Sequence, residues 1–289
     1  MESDPTNATL TAREDLTDIL SVVRVRPDAG RVPPFAPGPF FRLGLPRPEA
    51  PATGDGEGRT GRPGSRPGRV RYTRRAYSVA SSPRVTDYAE FLVVRVEEGA
   101  LTPRLWELDP GDRLWMDSEA KGEFTIDHAP RDADLVMVAT GTGVAPFMSM
   151  LRTFRGEGRW RRFVLIHGVR YAADLAYRAE LEAITHEDPT VKYIPLVTRA
   201  DPAENSAPGG GVAVRAISGW TGLRGRVQVA LDPTTYARLV GAPLDPACCH
   251  VFLCGNPQMI DDVQAELEQH GFVTDSRQQR GNLHFERYW

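Results

Sequence analysis

The stretch "ATGTGVAP", residues 139–146, has residue types and spacing that suit phosphate chemistry. It follows the apolar run "DLVMVA" and precedes a helical pattern, "PFMSMLRTF". Gly141 and Gly143 let a backbone turn tightly and come close to a ligand, and Pro146 suits a first helical turn. The free N–H groups of such a helix start favour an anion. A dinucleotide is one expected occupant, although the sixth position holds Pro where the dinucleotide fingerprint has Gly or Ala.

Arginines beyond the next strand ends bear on which dinucleotide that is. An acidic residue after the second strand bonds a ribose 2′-hydroxyl, whereas a basic one receives a 2′-phosphate. Arg170 follows "VLIHG", Arg199 follows "IPLVT" and Arg226 lies in "TGLRGRV". Any one of them alone reads as a solvated loop residue. Aligned, they favour NADP over NAD, since a charge-assisted hydrogen bond contributes roughly 1.5–3 kcal/mol.

Two further stretches carry polar groups at strand spacing. In "RAYSVASSP", Arg75 and Tyr77 share one face of a strand and Ser78 takes the other. Arg pairs with a pyrophosphate, Tyr lies against a planar ring, and Ser bonds ring heteroatoms. In "FLCGNPQM", Cys254 ends a strand, Asn256 caps a helix and Pro257 starts it. Cys254 thereby stands at the ligand-binding edge of an α/β sheet, or is an inert buried thiol. Downstream of the first set, "GALTPRLWEL" offers Thr102 as a cap ahead of Pro103.

The elements that must position these residues change rhythm midway. "DILSVVRVR", "PFFRLGL", "RAYSVASS", "EFLVVRVEE" and "DRLWMDSE" are short runs separated by Gly and Pro, as in a small antiparallel barrel. Between two of them lies a Pro/Gly/Arg-rich insertion at about 50–69, expected to be a flexible loop. After "DHAPRDAD", apolar strands alternate with helical patterns, which implies a parallel sheet covered on both faces. The expected architecture is two-domain, β followed by α/β, with a division at residues 1–131 and 132–289.

Composition excludes several classes. With 289 residues, 41% hydrophobic and 25% charged, the chain can bury real cores. The first residues lack a basic segment followed by an apolar run, and no apolar stretch is long enough to span a bilayer, so a cytoplasmic location is expected. Three cysteines, Cys248, Cys249 and Cys254, are too few and wrongly spaced for a disulfide framework, a zinc site or an iron–sulfur cluster. No metal is expected. Arginines crowd between Arg59 and Arg75, but no aromatic-interleaved basic stripe or known reading motif appears, so nucleic acid is not an expected partner.

The order of "RAYS", "GTGVAP", "RYAADLAY" and "CGNP", ending in "YW", resembles the bacterial ferredoxin/flavodoxin NADP reductase family. The resemblance runs from about Leu20 to the C-terminus and implies an FAD-binding antiparallel barrel followed by a Rossmann-like NADP-binding domain. It implies that Arg75, Ala76, Tyr77 and Ser78 bind FAD, with Arg75 at the phosphates, Tyr77 against the isoalloxazine and Ser78 near N5. Phe91, Leu92, Val93, Val94, Thr102 and Arg104 would complete the FAD cradle. Thr140, Gly141, Thr142 and Gly143 would lie under the nicotinamide and pyrophosphate of NADP, with Arg170, Arg199 and Arg226 at its 2′-phosphate and Cys254 lining the nicotinamide pocket. The terminal Trp289 would stack on the flavin face where nicotinamide must land, which makes Ser78, Cys254 and Trp289 the expected catalytic set. "GPF" at 38–40 departs from the family, which often has Gln after the glycine.

The activity so implied is hydride exchange with NADP(H) and single-electron exchange with ferredoxin or flavodoxin, by a monomer whose partner is an acidic electron-transfer protein. No general acid of strongly shifted pKa is required by that scheme. A flavin or ferric-chelate reductase, or an oxygenase component, is the alternative within the class. A flavin-binding sensor without catalysis is the alternative outside it.

Overall fold

The computed structural model describes residues 6–47, 71–199 and 220–287. The Pro/Gly/Arg insertion at about 50–69, the segment 204–214 and Trp289 lie outside the described residues. In the first half, β1 (Ala8–Thr17), β2 (Leu20–Pro27), β3 (Phe40–Pro46), β4 (Tyr72–Ser78), β5 (Ala89–Val94) and β6 (Arg113–Met116) form one antiparallel sheet, ordered β4-β3-β6-β1-β2-β5. Its two edges meet where Val79 bridges Phe91 and the Ala80 N–H donates to Glu90 O at 2.8 Å, which closes a barrel at that end. Alternate residues fill the interior: Phe41, Leu43 and Leu45 of β3, Phe91 and Val93 of β5, Leu114 and Met116 of β6.

β1 is a strand that apolar spacing does not announce. Its sequence "ATLTAREDLT" buries only Ala8 and Leu10, and pairing with β2 on one side and β6 on the other holds it in place. Ahead of β3, Gly38 adopts φ +115° and a Cβ there would fall 1.8 Å from Phe124 O. Only glycine fits. Pro39 beside it serves as an acceptor, taking the Val79 N–H at 3.2 Å, so the donor that proline lacks is not used here.

A single turn of helix, α1 (Thr102–Leu105), corrects one expectation. Leu101 rather than Thr102 holds the cap position, and no side chain caps it. Thr102 Oγ1 instead accepts the Val96 N–H at 2.9 Å and donates to Val96 O at 3.1 Å. A hydroxyl that finds both backbone groups of one residue satisfies itself locally, and here that clamps the turn around Gly99 rather than the helix end.

The second half is a parallel sheet with helices on both faces. It contains β7 (Asp134–Thr140), α2 (Val144–Phe154), β8 (Arg162–Val169), α3 (Arg178–Glu187), β9 (Val191–Val197), β10 (Leu223–Arg224), α4 (Gln228–Leu231), α5 (Pro233–Val240), β11 (Cys249–Gly255), α6 (Pro257–Gln269) and β12 (Leu283–Arg287). The strand order is β10-β9-β8-β7-β11-β12. Along β7, Leu135, Met137 and Ala139 pack with α2 and α3, while Val136 and Val138 pack with α5 and α6. Helix α3 begins only at Arg178, after Tyr177 takes a left-handed φ of 60°.

One apolar core runs across the junction of the halves. Leu20, Val22, Ala80 and Leu92 of the barrel pack with Phe124, Ile126 and the α2 residues Phe147 and Met148. An ionic bolt reinforces it. Arg152 on α2 donates to Glu90 of β5 at 2.7 Å, to Glu180 of α3 at 2.6 Å and to the Ala80 carbonyl at 2.9 Å. Glu90 is only 3% exposed and also receives Arg24 at 3.0 Å.

Candidate active site

The strand order reverses beside β7: the chain runs outward to β8 and β9 on one side, then crosses to β11 on the other. At such a point the loops after neighbouring strands diverge and leave a crevice. Thr140 spans it, its Oγ1 accepting the Asn256 N–H at 2.9 Å. Gly255, at φ +132°, allows this, since a Cβ there would lie 2.3 Å from that hydroxyl. Gly143 permits an equally close approach, because its Cβ would lie 2.2 Å from Cys254 O. Gly141–Gly143 form a 3₁₀ turn that enters α2 with no side chain capping it, so its first N–H groups face the crevice without a capping acceptor.

A residue that sequence reasoning passed over holds this turn. His167 on β8 is fully buried, and its Nε2 lies 3.1 Å from Gly141 O while Tyr193 Oη lies 3.4 Å from its Nδ1. Burial pushes its pKa down to about 4, against the opposing pull of the Gly141 carbonyl. The neutral ring therefore donates from Nε2 to Gly141 and accepts from Tyr193.

The crevice widens into a cleft of about 530 Å³ whose walls include Thr140, Gly141, Thr142, Arg170 and Arg226 from the parallel sheet, and Ile19, Leu20 and Val94 from the barrel. Arg170 and Arg226 thus meet in one space. Arg199 is joined to Arg170 through its backbone N–H, 2.9 Å from Arg170 O, and is not among the described residues lining the cleft. Asp174 and Asp262 also line it.

Where the domains meet, Ser78 Oγ donates to Glu286 Oε2 at 3.4 Å. Glu286 is the register neighbour of Cys254 across β11 and β12, so the two side chains project from the same face of the sheet. The structure therefore brings Ser78 and Cys254 to one place and adds a carboxyl between them. Burial pushes Glu286 up to about 7, and the Ser78 hydrogen bond only partly offsets it. Its Oε1 would lie 3.4 Å from a Cβ on Gly122, beside the Phe40 ring, so the segment around Gly122 supplies part of that burial. A group able to hold or release a proton near neutrality was not anticipated. The signal was present in "LHFER", where Leu283 and Phe285 alternate with His284 and Glu286 as in a strand with one face inward.

On β4, Tyr77 pairs in register with Phe41 and packs against the barrel core, Arg75 pairs with Leu43 but is exposed, and Ser78 is buried on the other side of the strand. Ala76, in register with Arg42, is exposed. Arg47, Arg71, Arg74 and Arg75 line an open groove with Tyr72, Thr73 and Ala100. Arg104 reaches its edge, donating to Pro46 O at 2.7 Å. Arg104 Nη1 and Tyr77 Oη are buried with no hydrogen-bond partner among the described residues. Such orphans fit a ligand with an anionic pyrophosphate and a planar polar ring, as FAD has. Phe91, Leu92 and Val93 commit their side chains to apolar cores, and Val94 faces the nucleotide cleft.

Among the described residues, Asp134, Cys248 and Cys249 place possible metal-ligand atoms within 4.8 Å of one another. The carboxylate there is already occupied, by Arg161 at 2.7 Å and Arg162 at 2.8 Å, and the Cys249 thiol donates to Pro243 O. Two guanidinium groups make that corner a poor cation site.

The family model for the oxidoreductase NAD-binding domain matches residues 137–265. A flavodoxin/ferredoxin–NADP reductase of Escherichia coli strain K12 is 33% identical over 257 residues, covering 89% of this chain and 88% of that protein. A ferredoxin–NADP reductase B of Sorangium cellulosum is 35% identical over 74% of this chain and 78% of its own length. In fold, the chain is similar to a ferredoxin NADP+ reductase from Neisseria gonorrhoeae solved with bound FAD and NADP, with a TM-score of 0.75 at 24% identity and 98% of each chain covered.

Proposed function

Since the chain belongs to the flavodoxin/ferredoxin–NADP reductase family, we propose that it is an FAD-dependent oxidoreductase exchanging hydride with NADP(H) and single electrons with ferredoxin or flavodoxin. The observation that carries this is the meeting of Ser78 from the barrel with Cys254 and Glu286 from the parallel sheet, beside a cleft lined by Arg170 and Arg226. Bound FAD would supply the conversion between a two-electron donor and one-electron carriers.

The chain's own residues bind, orient and handle a proton. Arg75 and Arg104 hold the FAD phosphates by charge-assisted bonds, and Tyr77 lies against the ring with its free hydroxyl. Ala76 and Thr102 contribute through backbone groups, since the Thr102 hydroxyl is spent on Val96. Phe91, Leu92 and Val93 support the strand beneath, and Val94 faces the nucleotide. Thr140 to Gly143 receive the NADP pyrophosphate, Arg170 and Arg226 its 2′-phosphate with Arg199 behind, and Cys254 the nicotinamide. Glu286 keeps a proton at the junction up to about pH 7, with Ser78 donating to its Oε2. Trp289 lies outside the described residues, and its role at the flavin face rests on the family resemblance alone.

The same reading divides the chain at 131/132 and takes it as a cytoplasmic monomer whose electron partner is acidic. Among the described residues, no helix is long and apolar enough to cross a membrane.

An absorbance spectrum of the purified protein, followed by anaerobic titration with NADPH and with NADH and by turnover with ferredoxin and flavodoxin, tests the proposal. A yellow protein bleached by NADPH at lower concentration than NADH, and turning over with either carrier, is expected. A colourless protein would end the FAD assignment. Equal bleaching by both nucleotides would end the NADP assignment.

A further inference from the structure

The cleft that receives the nucleotide is not a purely cationic one. Facing Arg170 and Arg226 on its walls are two carboxylates, Asp174 and Asp262. Asp174 is committed to the turn after Arg170, where it accepts the Tyr171 N–H at 3.1 Å. Asp262 stands on α6 with Oδ1 pinned by Gln258 Nε2 at 2.7 Å and Oδ2 turned to Arg226 Nη1 at 3.7 Å. Its neighbour Asp261 ties α6 to β12 through Arg287 at 2.5 Å, so the two adjacent aspartates have separate tasks.

We infer that Asp262 is a specificity-determining residue, a carboxylate held where it competes with the nucleotide 2′-phosphate for Arg226 and so limits the preference for NADPH over NADH. The inference rests on the assignment of this cleft to NADP(H). Gln258 matters because its i, i+4 hydrogen bond biases the carboxylate toward Arg226, so an arriving dianion meets that charge more often than it would meet a freely rotating Asp. A 2′-phosphate therefore has to take Arg226 from Asp262 and remain near a like charge. NAD carries a neutral 2′-hydroxyl, feels neither effect, and offers Asp262 a donor instead. The cost of the competition falls on NADP alone.

The test is Asp262→Asn in the FAD-loaded protein, because Asn keeps the size and can still accept from Gln258. Dissociation constants are measured for NADP+, NAD+ and the fragment pair 2′,5′-ADP and 5′-AMP at low and moderate salt. Removing one like charge close to a phosphate dianion is expected to tighten NADP+ and 2′,5′-ADP on the order of tenfold at low salt, and less at higher salt. NAD+ and 5′-AMP are expected to stay the same or bind slightly more weakly. Equal changes in both members of each pair, or none in either, would overturn the inference. Arg226→Leu separates this from the parent assignment. If Arg226→Leu abolishes discrimination between 2′,5′-ADP and 5′-AMP while Asp262→Asn is silent, only the role of Asp262 fails. If Arg226→Leu and Arg170→Leu both leave NADP+ binding unchanged, the cleft assignment itself fails.

Discussion

Ser78 at the end of the barrel strand β4 and Glu286 in the final strand β12, 208 residues apart in sequence, share a hydrogen bond of 3.4 Å. Neither residue has this chemistry alone. Glu286 is an ordinary carboxylate until the barrel and the segment around Gly122 close over it, and then its proton is held up to about pH 7.

Glu286→Gln is therefore expected to flatten the pH dependence of NADPH-driven flavin reduction between pH 6 and 8, where the native protein should show an inflection near 7. Ser78→Ala should move that inflection upward, because the serine bond favours the charged carboxylate. The sign for stability follows from the raised pKa: Glu286 contributes fully below its unfolded value, and that contribution is lost as pH rises through the folded value near 7. Rapid-reaction rates across pH and denaturant midpoints at pH 5 and 8 check both. An inflection unchanged in Glu286→Gln would remove the residue from proton handling.

How far the sequence discloses all this differs between elements. β7, β8, β9 and β11 are continuous apolar runs, because a parallel sheet buried on both faces leaves no polar alternation to confuse them. β1 escapes because its place depends on partners far along the chain. The glycine turn and the cleft arginines are local and legible as types. That Arg226 faces a pinned Asp262, or that the carboxyl of Glu286 is covered, depends on packing between elements remote in sequence, and no spacing encodes it. Thr102 shows the converse, a local pattern overruled by a closer local partner.

Arg152 crosses from the α/β half to the barrel and leaves Glu90 buried among its partners. Arg152→Met strips most of the compensation from a carboxylate that stays buried, which is expected to cost about 3–5 kcal/mol. Adding Glu90→Gln removes the stranded charge, so the double variant should recover part of that loss. Urea unfolding of the FAD-loaded proteins measures it. A double variant less stable than Arg152→Met would mean that the pair is not the unit that matters.

His167 supports the nucleotide turn through the Gly141 carbonyl and remains neutral down to about pH 4. Its contribution to NADP+ binding should thus be constant from pH 6 to 8. His167→Ala is expected to weaken NADP+ and NAD+ alike, by about five- to tenfold for a lost buried hydrogen bond, without altering the preference between them. A selective loss of NADP+ would place His167 at the 2′-phosphate end instead.

The last prediction concerns the chain end. Trp289 lies outside the described residues, and the family resemblance is what proposes it as the aromatic on the flavin face beside Ser78. An aromatic stacked there gains about 0.5–1.5 kcal/mol beyond its buried area, which a nicotinamide arriving on the same face has to displace. Deleting Trp289, or replacing it with Ala, is expected to raise nicotinamide occupancy about two- to tenfold for NADPH and NADH alike, leaving the ratio of their affinities unchanged, because the competition is removed at the end of the nucleotide that both share. Titration followed through the charge-transfer absorbance between flavin and nicotinamide reads the occupancy directly. If nucleotide affinity and the flavin spectrum are the same with and without Trp289, the residue packs elsewhere and the face beside Ser78 is kept clear by something other than the C-terminal tryptophan.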